Sequence, residues 1–328
     1  MTRSPELLSV IPEARGGVWD FTHALAAELG TSGQILAIAR GDGGALARAQ
    51  APAVLLHYSG YGYAKRGAPL WLVRSIREHR DRFGSLGVFF HELYALRWPW
   101  SSAFWLSPVQ QYVAQRLARM ADFWVTTCDK YALWLRRHAG SKPHAVLPIP
   151  SNIGEPPALG SQRQPIIVVF GSAGLRSTAY QAGGERLFAW AREQQLAIHD
   201  IGGQVSEPAL AQRLRRAGVI EHGFLAHAEA SALLATARYG IVRHRAAELA
   251  KSTIFAAYCA HGVCPIVLAS HYDGADGLLP SRHYYAGVPA AAGTDSDRVG
   301  QAAWHWYGEH RLARHGQTVT ALLGALGR

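Results

Sequence analysis

Residues 148–174 read PIPSNIGEPPALGSQRQPIIVVFGSAG, and the change of texture inside this stretch decides the fold. As far as Gln164 it is rich in Pro, Gly, Ser and Asn and carries no hydrophobic period, as a connector does. Ile166–Phe170 is then an unbroken apolar run, the pattern of a strand covered on both faces. Gly171-Ser-Ala-Gly174 turns out of it. A strand that opens behind a connector at mid-chain predicts that an α/β unit starts afresh there.

Strand and helix patterns alternate on both sides of that restart. Upstream, the spacing predicts strands at Leu7–Ile11, Gln34–Ala39, Ala53–His57, Leu86–His91, Phe123–Thr127 and Ala145–Leu147. Helices are expected at Val18–Leu29, Pro69–Phe83, Pro108–Met120 and Lys130–His138. Downstream, strands are expected at Leu196–Ile201, Val219–His222, Tyr239–Val242 and Pro265–Leu268. The helices between them fall at Gly184–Glu193, Pro208–Ala217, Ala228–Ala237 and Ser252–Ala260, and roughly 297–326 is largely helical. Apolar strands separated by helices predict parallel sheets. The expected organisation is an N-terminal domain at 1–150, a linker at 151–164, a C-terminal domain at 165–296 and a helical segment at 297–328.

The 328 residues are 49% apolar and 17% charged, enough for packed cores and incompatible with global disorder. No run approaches the roughly 18 apolar residues of a spanning helix. The first residues meet Pro12 and Glu13 before a signal-peptide core forms, so we expect a cytoplasmic protein. Cys128, Cys259 and Cys264 form no CxxC pair and suggest neither a disulfide framework nor zinc. The net charge is +10, almost wholly from arginine, since only residues 65, 130, 142 and 251 are lysine. Such a surface suits a nucleotide diphosphate, nucleic acid or an acidic membrane, although arginine enrichment can also reflect genome composition. No nucleic-acid recognition motif accompanies the charge.

Several positions could carry chemistry, each beside a plainer reading. Gly16-Gly17 follows the first strand, as a phosphate loop or an ordinary tight turn. His91-Glu92 ends a strand at its carboxyl edge, where α/β proteins place reactive groups, or is a buried His beside a surface Glu. It is no zincin, because Ala95 stands where a second His is needed. Trp98, Trp100 and Trp105 lie in an aromatic stretch suited to sugar stacking or a lipid headgroup zone, or folded onto their own domain. Gly171 begins half a dinucleotide fingerprint and Arg176 could grip a diphosphate; the third glycine is absent, and Asp200 lies further on than a ribose ligand normally does. Lys251 precedes Ser252 and Thr253 at a helix start, where a cation is unfavourable by ~0.3–1 kcal/mol unless an anion binds. Asp295 and Asp297 have metal-binding spacing, but capping explains them better.

Taken together, these motifs resemble the two-domain glycosyltransferases of the GT-B fold, in the retaining, nucleotide-sugar-dependent group (glycosyltransferase family 4-like). The resemblance spans nearly the whole chain. It rests on Gly16-Gly17, His91, Phe170-Gly171, and His222-Gly-Phe-Leu before the helix Ala228–Arg238. Its most specific part is Lys251-Ser-Thr-Ile-Phe-Ala-Ala-Tyr-Cys-Ala-His-Gly-Val-Cys-Pro265, similar to the family's helix ending in Ala-x-Gly-x-Pro. His57-Tyr-Ser-Gly-Tyr-Gly-Tyr and Phe89-Phe-His-Glu-Leu-Tyr look like a bacterial surface-polysaccharide subgroup.

The resemblance implies two Rossmann-like α/β domains facing a central cleft. It implies transfer of a hexose-type sugar from a nucleoside-diphosphate sugar to a polysaccharide or lipid-linked acceptor, with no cofactor and no essential metal. His91 would lie near the transferring sugar, with Glu92 beside it as a second catalytic candidate. Gly16, Gly17, Gly171, Arg176, His222, Glu248, Lys251, Ser252 and Thr253 would hold the donor, and Trp98, Trp100 and Trp105 the acceptor. Contact with the anionic inner face of the cell membrane fits the charge; nucleic acid is not an expected partner. The sequence departs from the family at one pair of positions. Two Glu eight apart are frequent there; here the positions hold Leu249 and Ala257, with Glu248 one place off. Ser252 or Thr253 would then serve the donor ribose. The missing pair keeps a catalytically inactive GT-B scaffold open as an alternative, and a sugar-nucleotide epimerase is a further one.

Overall fold

The computed structural model describes residues 7–30, 34–47, 49, 51–95, 102–160, 162–290 and 295–326. The backbone forms two compact units, Met1–Pro148 with Leu312–Arg328, and Ile149–Arg311.

The first unit runs β1 (Leu7–Pro12), α1 (Gly17–Glu28), β2 (Ile35–Ile38), α2 (Gly44–Ala47), β3 (Ala51–Tyr58), α3 (Gly60–Tyr63), α4 (Leu70–Glu78), β4 (Phe83–Phe90), α5 (Ser102–Met120), β5 (Phe123–Thr126), α6 (Asp129–His138) and β6 (His144–Val146). Its six strands are all parallel, in the order β2-β1-β3-β4-β5-β6. β4 is buried on both faces from Leu86 onward, which is why its sequence is an apolar run rather than an alternation. Gly87 is required there, since a Cβ would lie 2.2 Å from the Phe123 ring of the neighbouring strand.

The second unit runs β7 (Gln164–Phe170), α7 (Ala173–Glu193), β8 (Ala197–Ile201), α8 (Pro208–Arg216), β9 (Ile220–Glu221), α9 (His227–Thr236), β10 (Ala237–Arg243), α10 (Thr253–Ala260), β11 (Cys264–Leu268), β12 (Tyr285–Ala286) and α11 (Ser296–Gly308). Its parallel order, β12-β11-β10-β7-β8-β9, is that of a doubly wound sheet. The order reverses at β7 and β10, and ligands of such sheets gather beyond the carboxyl ends at that reversal. α10 is buried along Ile254–Ala260, so its small residues let it press on the sheet. α12 (Leu312–Leu326) returns to the first unit and packs against α1.

The two parallel α/β sheets are those the alternation predicts, with the short α2, α3 and β12 added and α4 ending at Glu78 before Phe83 opens β4; four further details differ. Residues 151–160 and 162–163 are built into the second unit rather than strung between domains. The Ser151 amide donates to the Tyr307 hydroxyl at 2.7 Å, that hydroxyl donates to Glu155, and Arg163 donates to the carbonyls of Leu234, Ala235, Ala237 and His261. α7 begins eleven residues before the expected helix and is broken at Gly184, whose φ of 55° and ψ of −154° lie outside helical space. The expected terminal helix is two helices, shared between the units. α5 starts at Ser102 with Pro108 inside it, not at Pro108.

Candidate functional site

In the second unit, two helix starts converge beyond the carboxyl end of the sheet. β7 passes through Gly171, at φ 126°, to Ser172, whose hydroxyl accepts the Leu175 amide and caps α7. On the other side of the strand-order reversal, β10 runs into a 3₁₀ turn at Ala246–Lys251, and Ser252 accepts the Phe255 amide at 3.2 Å to cap α10. The two starts touch: a Cβ on Gly171 would lie 2.8 Å from Ile254 Cδ1. Each helix presents unpaired amides and a positive dipole end, so the place attracts phosphate. Lys251, half-buried, directly precedes the second cap; half-buried Arg243 ends β10 and half-buried His244 follows it. Arg243 donates to the Leu268 carbonyl at 2.7 Å, and burial lowers the His244 pKa, favouring its neutral form.

Arg176 does not join that group, against the expectation of a diphosphate grip. Its side chain is 1% exposed and forms an ion pair with Asp200. The guanidinium also donates to the Gly171 carbonyl at 3.0 Å and to the Gly203 carbonyl. The Tyr180 hydroxyl donates to the other Asp200 oxygen at 2.8 Å. Arg176 therefore fastens the turns after β7 and β8 from beneath, its guanidinium engaged by Asp200 and the two carbonyls. Burial raises the Asp200 pKa while Tyr180 and Arg176 oppose the rise.

The other expected donor residues are spread more widely. Ser252 spends its hydroxyl on the cap, and half-buried Thr253 opens the helix itself. Glu248 lies in the 3₁₀ turn at 3.6 Å from Arg245. His222 stands past the edge strand β9, its Nε2 2.9 Å from His199 Nδ1. Burial first, and His222 second, lower the His199 pKa.

In the first unit the reversal lies between β1 and β3. Gly16, at φ 154°, caps α1 with no side chain, and Gly16 and Gly17 are both exposed. His91 and Glu92 follow β4. His91 Nε2 lies 3.2 Å from Nδ1 of the fully buried His57. Burial pulls the His57 pKa down to about 3, so that ring stays neutral. Phe21 stands edge-on to both imidazoles, and His315 of α12 packs on Phe21 from beyond. Glu92 is exposed, and the Ser59 hydroxyl donates to its Oε2 at 3.0 Å. His57 and Ser59 were missed as partners of the pair. Both lie in the stretch His57-Tyr-Ser-Gly-Tyr-Gly-Tyr noted in the sequence, but it is the register of β3 beside β4, setting His57 opposite Phe89, that brings them to the pair.

Trp105 is 73% exposed on α5; Trp98 and Trp100 lie outside the described residues. Asp295 accepts the Arg298 amide as the cap of α11. Among the described residues no three His, Cys, Asp or Glu side chains gather as a metal site, and no helix is long and apolar enough to cross a membrane.

No protein-family model matches the chain, and no curated protein matches its sequence. Solved structures do match its fold. A glycosyltransferase from Rickettsia africae superposes with a TM-score of 0.63 at 10% identity, over 99% of both chains. HepE from Anabaena, in complex with UDP-glucose, gives 0.60 at 11% identity, over 97% of this chain and 99% of its own. The lipopolysaccharide outer core galactosyltransferase WaaB gives 0.55 at 10% identity, over 97% and 98%. Against the longer chains of the GtfA/B complex and TarM, this chain spans 58% and 54% of their length. At these identities the likeness is one of fold, and the fold is the GT-B architecture of paired parallel α/β units.

Proposed function

We propose that the chain is a glycosyltransferase that takes a hexose-type sugar from a nucleoside-diphosphate sugar to a polysaccharide or lipid-linked acceptor, without a bound metal. The observation that carries this reading is the convergence of two capped helix starts with Lys251 at the strand-order reversal of the second unit. A leaving diphosphate needs its developing charge neutralised. Preorganised amides, helix dipoles and a lysine supply that. The fold shared with HepE, a structure that holds UDP-glucose, and with WaaB, a galactosyltransferase, supports the donor class.

In this reading Gly171, Lys251, Ser252 and Thr253 line the diphosphate site, Glu248 and His222 lie further along the donor, and Arg176 holds the loop in place. Gly16-Gly17 also serve the donor, and His91 and Glu92 are the catalytic candidates at the transferring sugar. A retaining transfer needs no protein base, because the departing phosphate takes the acceptor's proton. An inverting one needs a carboxylate or imidazole, and exposed Glu92 suits that better than His91, whose Nε2 faces His57. Trp105 belongs to the acceptor side, where a lipid-linked acceptor brings the chain to an anionic membrane surface.

One observation favours a second reading. Leu249 and Ala257, at the positions of the family's Glu pair, are buried and apolar, which suits a scaffold that keeps the fold without the reaction. Incubation with a panel of nucleotide sugars separates the two. A transferase gives turnover or slow hydrolysis, and nucleoside diphosphates raise its melting temperature. Absence of all three effects sinks the proposal in favour of the scaffold, and conversion of the donor with no acceptor present identifies an epimerase.

A further inference from the structure

Beyond the phosphate loop, the second unit carries a ledge that ends in an aromatic ring. β8 is followed by Gly202-Gly203, and β9 by His222, Gly223 and Phe224. The two turns are tied together: the Gly202 amide donates to the Gly223 carbonyl at 2.8 Å, and the His222 amide to the Asp200 carbonyl at 2.9 Å. Leu225 packs onto the core, which fixes the backbone and turns Phe224 outward. Its side chain is 88% exposed.

A single exposed apolar side chain is ordinary in itself. What sets this ring apart is the floor beneath and beside it. A Cβ on Gly203 would lie 2.9 Å from Phe224 Cζ, so the ring rests on a bare Cα. A Cβ on Gly202 would lie 2.5 Å from the Gly171 carbonyl oxygen and 2.7 Å from Arg176 Nε. Gly171, Gly202, Gly203 and Phe224 thus form a continuous strip, free of side chains until its last member. Arg176 holds two of its members from below, through the Gly171 and Gly203 carbonyls, and pairs with Asp200 at the end of β8. In doubly wound units the phosphates sit at the first strand's turn and the ribose toward the end of the second strand. β7 and β8 are those strands here, so the strip runs from the phosphates past the sugar, and the ring stands where a base follows.

We infer that Phe224 is the platform on which the donor's nucleobase stacks. The inference rests on the nucleotide-sugar reading of this unit. Every base has a π-face, so the platform contributes affinity without choosing among bases. Base selection then falls to groups other than this ring.

Calorimetry on the full chain with UDP, GDP, ADP and inorganic pyrophosphate tests it. Phe224→Ala is expected to weaken all nucleoside diphosphates that bind, by about tenfold for a lost base stack. Phe224→Trp restores or tightens them, and pyrophosphate affinity stays the same in both variants. Nucleoside diphosphates bound equally well by Phe224→Ala overturn the platform and leave the nucleotide reading standing. An equal loss for pyrophosphate also overturns it, because the substitution then acts on the phosphate loop. A wild-type chain that binds no nucleoside diphosphate removes both the platform and the nucleotide-sugar reading, whether or not it binds pyrophosphate.

Discussion

Arg176 and Lys251 are both basic residues near a strand-to-helix turn, and the proposed reading gives them opposite work. Arg176 is half of a buried ion pair, and its removal leaves Asp200 charged, buried and without its cation. Arg176→Ala is therefore expected to cost about 3–5 kcal/mol of unfolding free energy in urea titrations. Arg176→Lys fails to restore it, because a lysine cannot reach Asp200 and the two loop carbonyls with one planar fork. Lys251→Ala is expected to leave the urea midpoint nearly unmoved while weakening pyrophosphate binding about tenfold, the worth of one charge-assisted contact. A stability loss in Lys251→Ala with unchanged pyrophosphate affinity would reverse the two assignments. The sequence shows an Arg after a glycine turn, and nothing local says that it points inward. That depends on Asp200, 24 residues away and brought alongside by the pairing of β7 with β8. The titration of His57 carries a second residue-scale prediction. Its pKa falls from the ordinary value near 6.5 to about 3 on burial, so the unfolded chain binds the extra proton. The contribution of neutral His57 is full above pH 6.5 and is lost as the pH falls from there toward 3. Unfolding measured across that window should lose up to ~1.4 kcal/mol per pH unit more in the wild type than in His57→Gln. Identical slopes would show that the ring is not held neutral in the folded state.

At the scale of elements, whatever is packed on both faces was legible and whatever is held by distant partners was not. β4, β7 and β11 read as apolar runs, and the strand-helix alternation yielded both parallel sheets. The first turns of α7, Ala-Gly-Leu-Arg-Ser-Thr, have no apolar period, because what stabilises them is the Ser172 cap and the Arg176 anchor. The break between α11 and α12 falls in Glu309-His-Arg311, with no Pro or Gly among the three, and nothing in their pattern announces that the chain changes units there. α10 shows how close an element can come to its sheet. Gly240 on β10 leaves room for Tyr258 of α10, whose ring would lie 2.4 Å from any Cβ there. The Tyr258 hydroxyl donates to the carbonyls of Val168 and Ile241, at 2.9 and 3.0 Å, and so joins two strands. Gly240→Ala is expected to destabilise the fold by about 1–3 kcal/mol through overpacking. The double variant Gly240→Ala with Tyr258→Leu should recover part of that loss, since the clash disappears with the ring. No recovery in the double variant would place the strain elsewhere than at the helix–sheet contact.

For the whole molecule, the excess of +10 matters most where it meets exposed apolar surface. α5 has no acidic residue along its 19 positions. Trp105, Pro108, Tyr112, Arg116 and Arg119 are exposed at helical spacing, so they share one stripe, aromatic at its start and basic at its end. Arg116 lies over the Tyr112 ring at 5.2 Å. Aromatic rings that settle at the headgroup level beside guanidinium groups that pair with phosphate are the chemistry of an anionic bilayer surface. Vesicles of phosphatidylcholine with one-third phosphatidylglycerol should float the wild-type chain, and pure phosphatidylcholine should not. Trp105→Ser with Tyr112→Ser is expected to reduce flotation at any salt concentration, because it removes the apolar insertion. Arg116→Gln with Arg119→Gln should reduce it mainly at low salt, where unscreened attraction contributes most. The two pairs therefore report different physics from one stripe. A chain that stays in the soluble fraction with anionic vesicles at low salt, or that floats unchanged when both pairs are replaced, would leave the stripe with no role at a membrane.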